Sequence, residues 1–194
     1  MFLNIYIFFF FVPTGSQKLC GDVWAKGKLS ASGRKRIKSD ILTPQCVIFA
    51  AMDDARYMLT ALGEARKALE DDEVPIGCII VGGGSVIARG HNLTQTLNDP
   101  TAHAEMQAIT AATAYLGGKY LDKCTLYVTV EPCPMCAAAL NWAHIGRIVY
   151  GCKDPKRGYS LFEPLLLHPK TEVVSGVLEG ECEKLMKDFF KKKR

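Results

Sequence analysis

A chain of 194 residues with 48% hydrophobic and 23% charged side chains holds enough apolar material for one globular domain, which excludes a disordered or low-complexity protein. Eight cysteines over that length do not make a disulfide scaffold and favour a reducing compartment. The net charge of +4 is uneven: residues 1–51 carry seven Lys/Arg against two Asp, whereas residues 52–194 carry seventeen basic and eighteen acidic side chains, so any nucleic-acid footprint on the larger part must be local.

Residues 2–12 are apolar apart from Asn4, too few to span a bilayer. No Lys or Arg precedes them and no small-x-small cleavage site follows, as a signal peptide requires. Gln17-Lys18 suits a lipoprotein site at Cys20 poorly, and 26–38 is basic and Gly/Ser-rich, the composition of a disordered segment. At Met52 an amphipathic pattern begins, headed by Asp53-Asp54. Residues 1–51 are therefore expected to lie outside the fold, as a disordered extension or the product of a mis-assigned start, with 52–194 as the domain. No transmembrane helix is expected.

Residues 53–71 read as a helix, with Met58, Leu59, Leu62, Ala65, Ala68 and Leu69 at three- and four-residue steps behind an acidic first turn. The runs 76–81 and 86–90, joined by Gly82-Gly83-Gly84, read as a two-stranded hairpin; a phosphate loop would need a Gly-Lys-Ser/Thr ending that is missing. His91 is expected to be structural, and Asn92, read by itself, to cap or turn the chain into the polar loop 93–100. Residues 101–116 read as a second helix, capped by Thr101 or Asp99, with Ala108, Ile109, Ala112 and Leu116 buried and Gly117-Gly118 as its stop. A strand at 126–130, an alanine-rich helix at 133–143 and a strand at 147–150 favour a parallel pair with a right-handed crossover, whose ligands bind at the carboxyl ends of the strands. In 151–167, Lys153, Lys156 and Arg157 cluster around Asp154. The last helix, 179–194, buries Leu178, Cys182, Leu185, Met186 and Phe189, leaves Phe190 at the edge, and ends in Lys191-Lys192-Lys193-Arg194. Such a tail is either simply solvated or suited to an RNA backbone and unstacked bases.

The chemistry concentrates in two stretches. Cys133 and Cys136 stand at i and i+3, which puts both sulfurs on one helix face. Pro134 fits that helix only in its first turn, where the positive end of the dipole favours thiolates. His103 must join them from a second element. One imidazole and two thiolates leave a tetrahedral zinc ion one open position, the catalytic arrangement; a structural site closes with four ligands. Glu105 lies about 200° around a regular helix from His103, so both converge on one ion only at a helix end. There Glu105 acts as a proton carrier beside a zinc-activated water. A redox Cys-x-x-Cys pair and a structural zinc half-site are the bland alternatives.

The stretches Asp99-Pro100-Thr101-Ala102-His103-Ala104-Glu105 and Leu126-Tyr127-Val128-Thr129-Val130-Glu131-Pro132-Cys133 carry the His-x-Glu…Pro-Cys-x-x-Cys signature of zinc nucleobase deaminases. Over about 52–194 the chain resembles the bacterial tRNA-specific adenosine deaminases. The resemblance implies an α/β fold, a three-layer α/β/α sandwich with a mixed sheet of about five strands as in the cytidine deaminases. It implies one Zn2+ per subunit on His103, Cys133 and Cys136, Glu105 as the catalytic proton carrier, and Asn92, Ala104, Asp154, Phe190 and Lys191 as substrate contacts. It further implies hydrolysis of the wobble adenosine to inosine in a tRNA anticodon stem-loop, that of a tRNA-Arg, by a cytoplasmic homodimer whose partner subunit helps form the site. Pro134 and Trp142 are similar to guanine deaminases, which leaves a guanine or cytosine deaminase acting on free bases or nucleosides as the alternative. A zinc-stabilised RNA-binding module without catalysis would have no use for Glu105.

Overall fold

A computed structural model of the chain describes residues 44–162 and 166–193. Helix α1 (Pro44–Glu70) starts well ahead of the acidic turn at Asp53. Proline pre-organises a first helical turn, and nothing in 45–52 breaks a helix. Part of the expected extension thus continues into α1, and the expectation for residues 1–43 falls outside the described residues. Met58, Ala61, Leu62, Ala65 and Ala68 form the buried stripe of α1; Leu59, expected within it, faces solvent.

Strands β1 (Gly77–Gly82) and β2 (Ser85–His91) form the hairpin, its two-residue turn made by Gly83 and Gly84, both at positive φ. That is the backbone a tight hairpin requires and glycine supplies without steric cost. After α2 (Ala104–Leu116) come β3 (Cys124–Val130), α3 (Pro134–Trp142), β4 (Arg147–Cys152), β5 (Glu172–Ser175) and α4 (Glu179–Lys192). The sheet runs β2-β1-β3-β4-β5, antiparallel from β2 to β3 and parallel from β3 to β5.

Alternate strand residues feed two cores. Ile80, Leu126 and Ile148 pack with Ala108, Ala112, Ala137 and Leu140 of α2 and α3. Ile79, Tyr127 and Val149 pack with Met58 and Leu62 of α1 and Cys182 of α4. The three-layer α/β/α sandwich with five strands is therefore observed. Leu116, expected to be buried, is 46% exposed, on the last turn of α2 before Gly117, at φ 62, stops it.

One guanidinium fastens the α1 side. Arg147 donates two hydrogen bonds to Asp54 (2.8 and 2.9 Å) and one to Glu172 (3.1 Å), and the Tyr127 hydroxyl donates to Asp54 (2.8 Å). Helix α1 is thereby tied to β3, β4 and β5 by a bidentate, largely buried pair.

Candidate metal centre and active site

The chemistry-bearing residues meet where β3 ends and two helices begin. Cys133 is the N-cap of α3 in extended conformation (φ −72, ψ 167) and Pro134 opens the helix. Cys136 is thereby turned inward and fully buried on the first turn. His103 occupies the equivalent position on α2 (φ −69, ψ 157). It, rather than Thr101 or Asp99, is the cap: the Asp99 carboxylate is engaged by the backbone N–H and hydroxyl of Thr101 (2.8 and 2.7 Å), a local turn that delays the helix. Neither cap residue donates or accepts a side-chain capping bond, so both helix ends present open N–H groups and positive dipole to the same place.

His103 Nδ1 lies 3.6 Å from Cys133 Sγ and 3.5 Å from Cys136 Sγ, and the three ligand atoms lie within 4.8 Å of one another. Tetrahedral zinc with ordinary Zn–N and Zn–S bonds needs an N···S separation of about 3.5 Å. The donor set therefore fits zinc in chemistry and spacing. No fourth His, Cys, Asp or Glu joins the group among the described residues.

The thiols are polarised against each other. The Cys133 thiol is brought down to about 4, first by the hydrogen that Cys136 donates to it and then by His103. Cys136 is pushed far up by the same shared hydrogen and by burial. His103 is raised by its bond to Cys133. Glu105 is buried in the first turn of α2, and burial, reinforced by the charge at Cys133, moves its carboxyl upward, the direction that suits a group passing a proton near neutrality.

The residues expected as substrate contacts lie on several different elements. The backbone around Asn92 is fastened next to the metal helix: Leu93 N–H donates to the Ala102 carbonyl (3.0 Å), and a Cβ on Gly90 would overlap the carbonyl of Ala104. Asn92 is buried, and its Nδ2 donates to Glu73 Oε2 (3.0 Å) and Thr94 Oγ1 (3.1 Å). Ala104 opens α2, outside the intrahelical ladder that starts with Gln107 N–H to the His103 carbonyl (3.1 Å). Its own carbonyl accepts the Cys78 thiol hydrogen (3.0 Å). Asp154 Oδ1 accepts from the N–H groups of Lys156 and Arg157 (2.9 and 3.0 Å), so this side chain shapes the basic loop. Phe190 and Lys191 are exposed on the last turn of α4, Phe190 edge-on to Phe189. Two residues later Lys193 pairs with Asp72, the neighbour of Glu73, so the cationic end of α4 is fastened beside the residue that holds Asn92.

Among the buried carboxylates that the sequence does not single out are Glu73 and Glu131. Glu73 accepts from Asn92, Thr94 and the N–H groups of Gln95 and Thr96; Glu131 accepts from the N–H groups of Asp154 and Ser160. Each stands close to a proline at an element end, a signal too common to single either out. Among the described residues, no helix is long and apolar enough to cross a membrane.

The sequence pattern of the MafB19-like deaminases matches residues 52–194. A tRNA-specific adenosine deaminase of Agrobacterium fabrum is 47% identical over 143 residues, which covers 71% of this chain and 94% of that one. The tRNA-specific adenosine deaminase of Bacillus subtilis is 46% identical over 146 residues, covering 73% and 91%. A solved structure from a study of tRNA:A34 deaminases acting at the wobble position superposes with a TM-score of 0.63 at 47% identity, covering 67% of this chain and 98% of that one. A guanine deaminase from Nitrosomonas europaea shares the fold (TM-score 0.61) at 22% identity, covering 70% of this chain and 83% of that one.

Proposed function

The chain belongs to the MafB19-like deaminases and, among them, to the tRNA-specific adenosine deaminases, and from that premise we propose that its metal centre hydrolyses the wobble adenosine of a tRNA-Arg anticodon loop to inosine. The observation that carries the chemistry is the His103–Cys133–Cys136 cluster with Glu105 buried in the first turn of α2, the helix that His103 caps. One Zn2+ per subunit, held by those three residues, would acidify a water to a pKa of about 7 and stabilise the charge that develops on its oxygen.

The rest is the work of the chain's own side chains. Glu105 takes a proton from the water, passes it to the ring nitrogen of adenine, and carries a second to the amine leaving carbon 6, so that water and adenosine become inosine and ammonia. The open N–H groups of α2 and the amide of Asn92 fix the base, which must leave its stack; an anticodon loop offers one at little energetic cost. Lys153, Lys156 and Arg157, shaped by Asp154, and the end of α4 with Phe190 and Lys191 face the phosphates and neighbouring bases. A second copy of the chain completes the enzyme. Trp142, 83% exposed on the last turn of α3, is the apolar anchor such a contact needs. The six described cysteines are all free, in keeping with a cytoplasmic enzyme.

The test is inosine mapping in total tRNA treated with the purified protein, beside ammonia release from guanine and cytosine. Inosine at the wobble position of tRNA-Arg is the expected outcome. Turnover of a free base without RNA editing would overturn it.

A further inference from the structure

Glu73 follows α1 in the turn before β1, is 0% exposed, and makes no ion pair with any described residue. A lone buried carboxylate is costly unless donors surround it. Four do. Oε1 accepts from the backbone N–H groups of Gln95 and Thr96, both at 2.7 Å; Oε2 accepts from Asn92 Nδ2 at 3.0 Å and Thr94 Oγ1 at 3.2 Å. Burial alone would raise this carboxyl; the donors from Thr96, Gln95 and Thr94 outweigh it, and the group is held below its ordinary range as a carboxylate.

The chemistry of these four bonds fixes an orientation. A carboxylate only accepts, so Asn92 must turn its NH2 toward Glu73. Thr94 spends its hydroxyl hydrogen on Glu73 and accepts the second amide hydrogen of Asn92 at 3.1 Å. Both amide hydrogens are then committed inside the protein. Oδ1 of Asn92 makes no bond among the described residues, and no buried side-chain oxygen or nitrogen there lacks a partner, so Oδ1 is the atom left facing outward.

We propose that Glu73 is a positioning residue of the deamination: its carboxylate locks the amide of Asn92 so that Oδ1 is presented to the nucleoside as an acceptor, and the same carboxylate folds the loop leading to His103. The proposal rests on the reading of Asn92 as a substrate contact. Glu73→Gln is nearly isosteric but inverts the pattern. The N–H groups of Gln95 and Thr96 hold the remaining oxygen, the new NH2 faces Asn92, and two donors meet. The Asn92 amide must flip and offer its NH2 to the substrate. Asn92→Asp alone sets two carboxylates face to face. The exchange Glu73→Gln with Asn92→Asp restores donor to acceptor and leaves an oxygen facing the substrate.

The experiment is kcat/KM on an anticodon stem-loop, at matched zinc content and well below each variant's melting temperature. E73Q and N92D each lose about 10- to 100-fold, the scale of a misplaced catalytic contact, and the double exchange recovers most of either loss. An exchange no better than the single variants, with N92A impaired, would refute positioning by Glu73 and leave the Asn92 contact standing. A fully active N92A would refute both. Should E73Q fail to fold, Thr94→Val removes the hydroxyl between the two side chains while leaving the backbone anchors. It should lose several-fold in kcat/KM, as a small displacement of a catalytic group does, in the wild-type background but not in N92A; an equal loss in both would also count against the proposal.

Discussion

Gly90 of β2 lies so close to the carbonyl of Ala104 that a β carbon would overlap it, and the backbone N–H of Ala108 lies just beyond. This approach brings the start of α2, with His103 and Glu105, down onto the sheet. Gly90→Ala is therefore expected to lift that helix end. Overpacking of this kind costs about 1–3 kcal/mol, a modest fall in melting temperature. Bound zinc and turnover should fall further than the stability loss accounts for, because the imidazole moves relative to two thiols on a different helix. Metal analysis of the folded variant checks this; unchanged zinc stoichiometry and activity would mean the contact is not needed to place His103.

Glu105→Gln separates metal binding from proton transfer. The carboxyl lies outside the three-ligand cluster, so zinc content should match the parent. A glutamine cannot take the water's proton, and general acid–base catalysis contributes about 10²–10⁴-fold, so kcat should fall by at least that. Cys136→Ser, by contrast, should lose zinc and activity together. Single-turnover assays on both variants with metal quantified distinguish the cases; a Glu105→Gln protein that turns over normally would remove Glu105 from the mechanism.

The centre was legible in the sequence because spacing and chemistry coincide: Cys133, Pro134 and Cys136 admit little but a helix start, and His103 with Glu105 is useful only at another. Both helices do start there. Glycine and apolar periodicity likewise carried the hairpin, β3, β4 and the stripe of α4. β5 was not located because three of its four residues are exposed, so no alternation marks it. Nothing in the sequence marks Glu73, Glu131 or Asp54 as buried, although all three are. A buried carboxylate differs from a solvated one only in which distant donors reach it, and the donors to Asp54 lie 73 and 93 residues along the chain.

Asp54 gives the fold an acid-sensitive fastening. Burial would raise its carboxyl, but the hydrogen bonds from Arg147 and Tyr127 prevail and hold it below the ordinary 3.8. A depressed carboxyl contributes stability that is fully present above its unfolded pKa and is lost as pH falls through the folded one. The wild type should thus lose part of its unfolding free energy below about pH 4. Asp54→Asn should be weaker near neutrality by on the order of 2 kcal/mol, the scale of charge-assisted hydrogen bonds, and should decline less in acid. Urea midpoints for both proteins at neutral pH and near pH 3 test this; parallel curves would show that Asp54 does not titrate with folding.

Glu131 joins the metal loop to the basic loop. It stands two residues before Cys133, and its buried carboxylate accepts the N–H of Asp154 (3.2 Å) and of Ser160 (3.0 Å); Tyr159 N–H donates to the Pro132 carbonyl (2.9 Å). Gly158 lies against the carboxylate itself, leaving no room for a side chain. Segment 154–160, with the exposed Lys156 and Arg157, is thereby folded onto the strand end that supplies Cys133. Glu131→Gln keeps the shape but sets an NH2 against one of the two N–H donors, leaving that donor unpaired. Because Cys133 is also fixed as the N-cap of α3, zinc should remain bound while the loop loosens. KM for tRNA should therefore rise about tenfold, the equivalent of about 1.4 kcal/mol, and kcat should change little at saturating RNA. Arg157→Ala in the intact protein should weaken tRNA binding and lower the slope of log affinity against log salt by about one phosphate contact. Steady-state kinetics and binding over a range of salt measure both effects. A Glu131→Gln enzyme with unchanged KM and diminished zinc would place this carboxylate in support of the metal centre rather than of the basic loop.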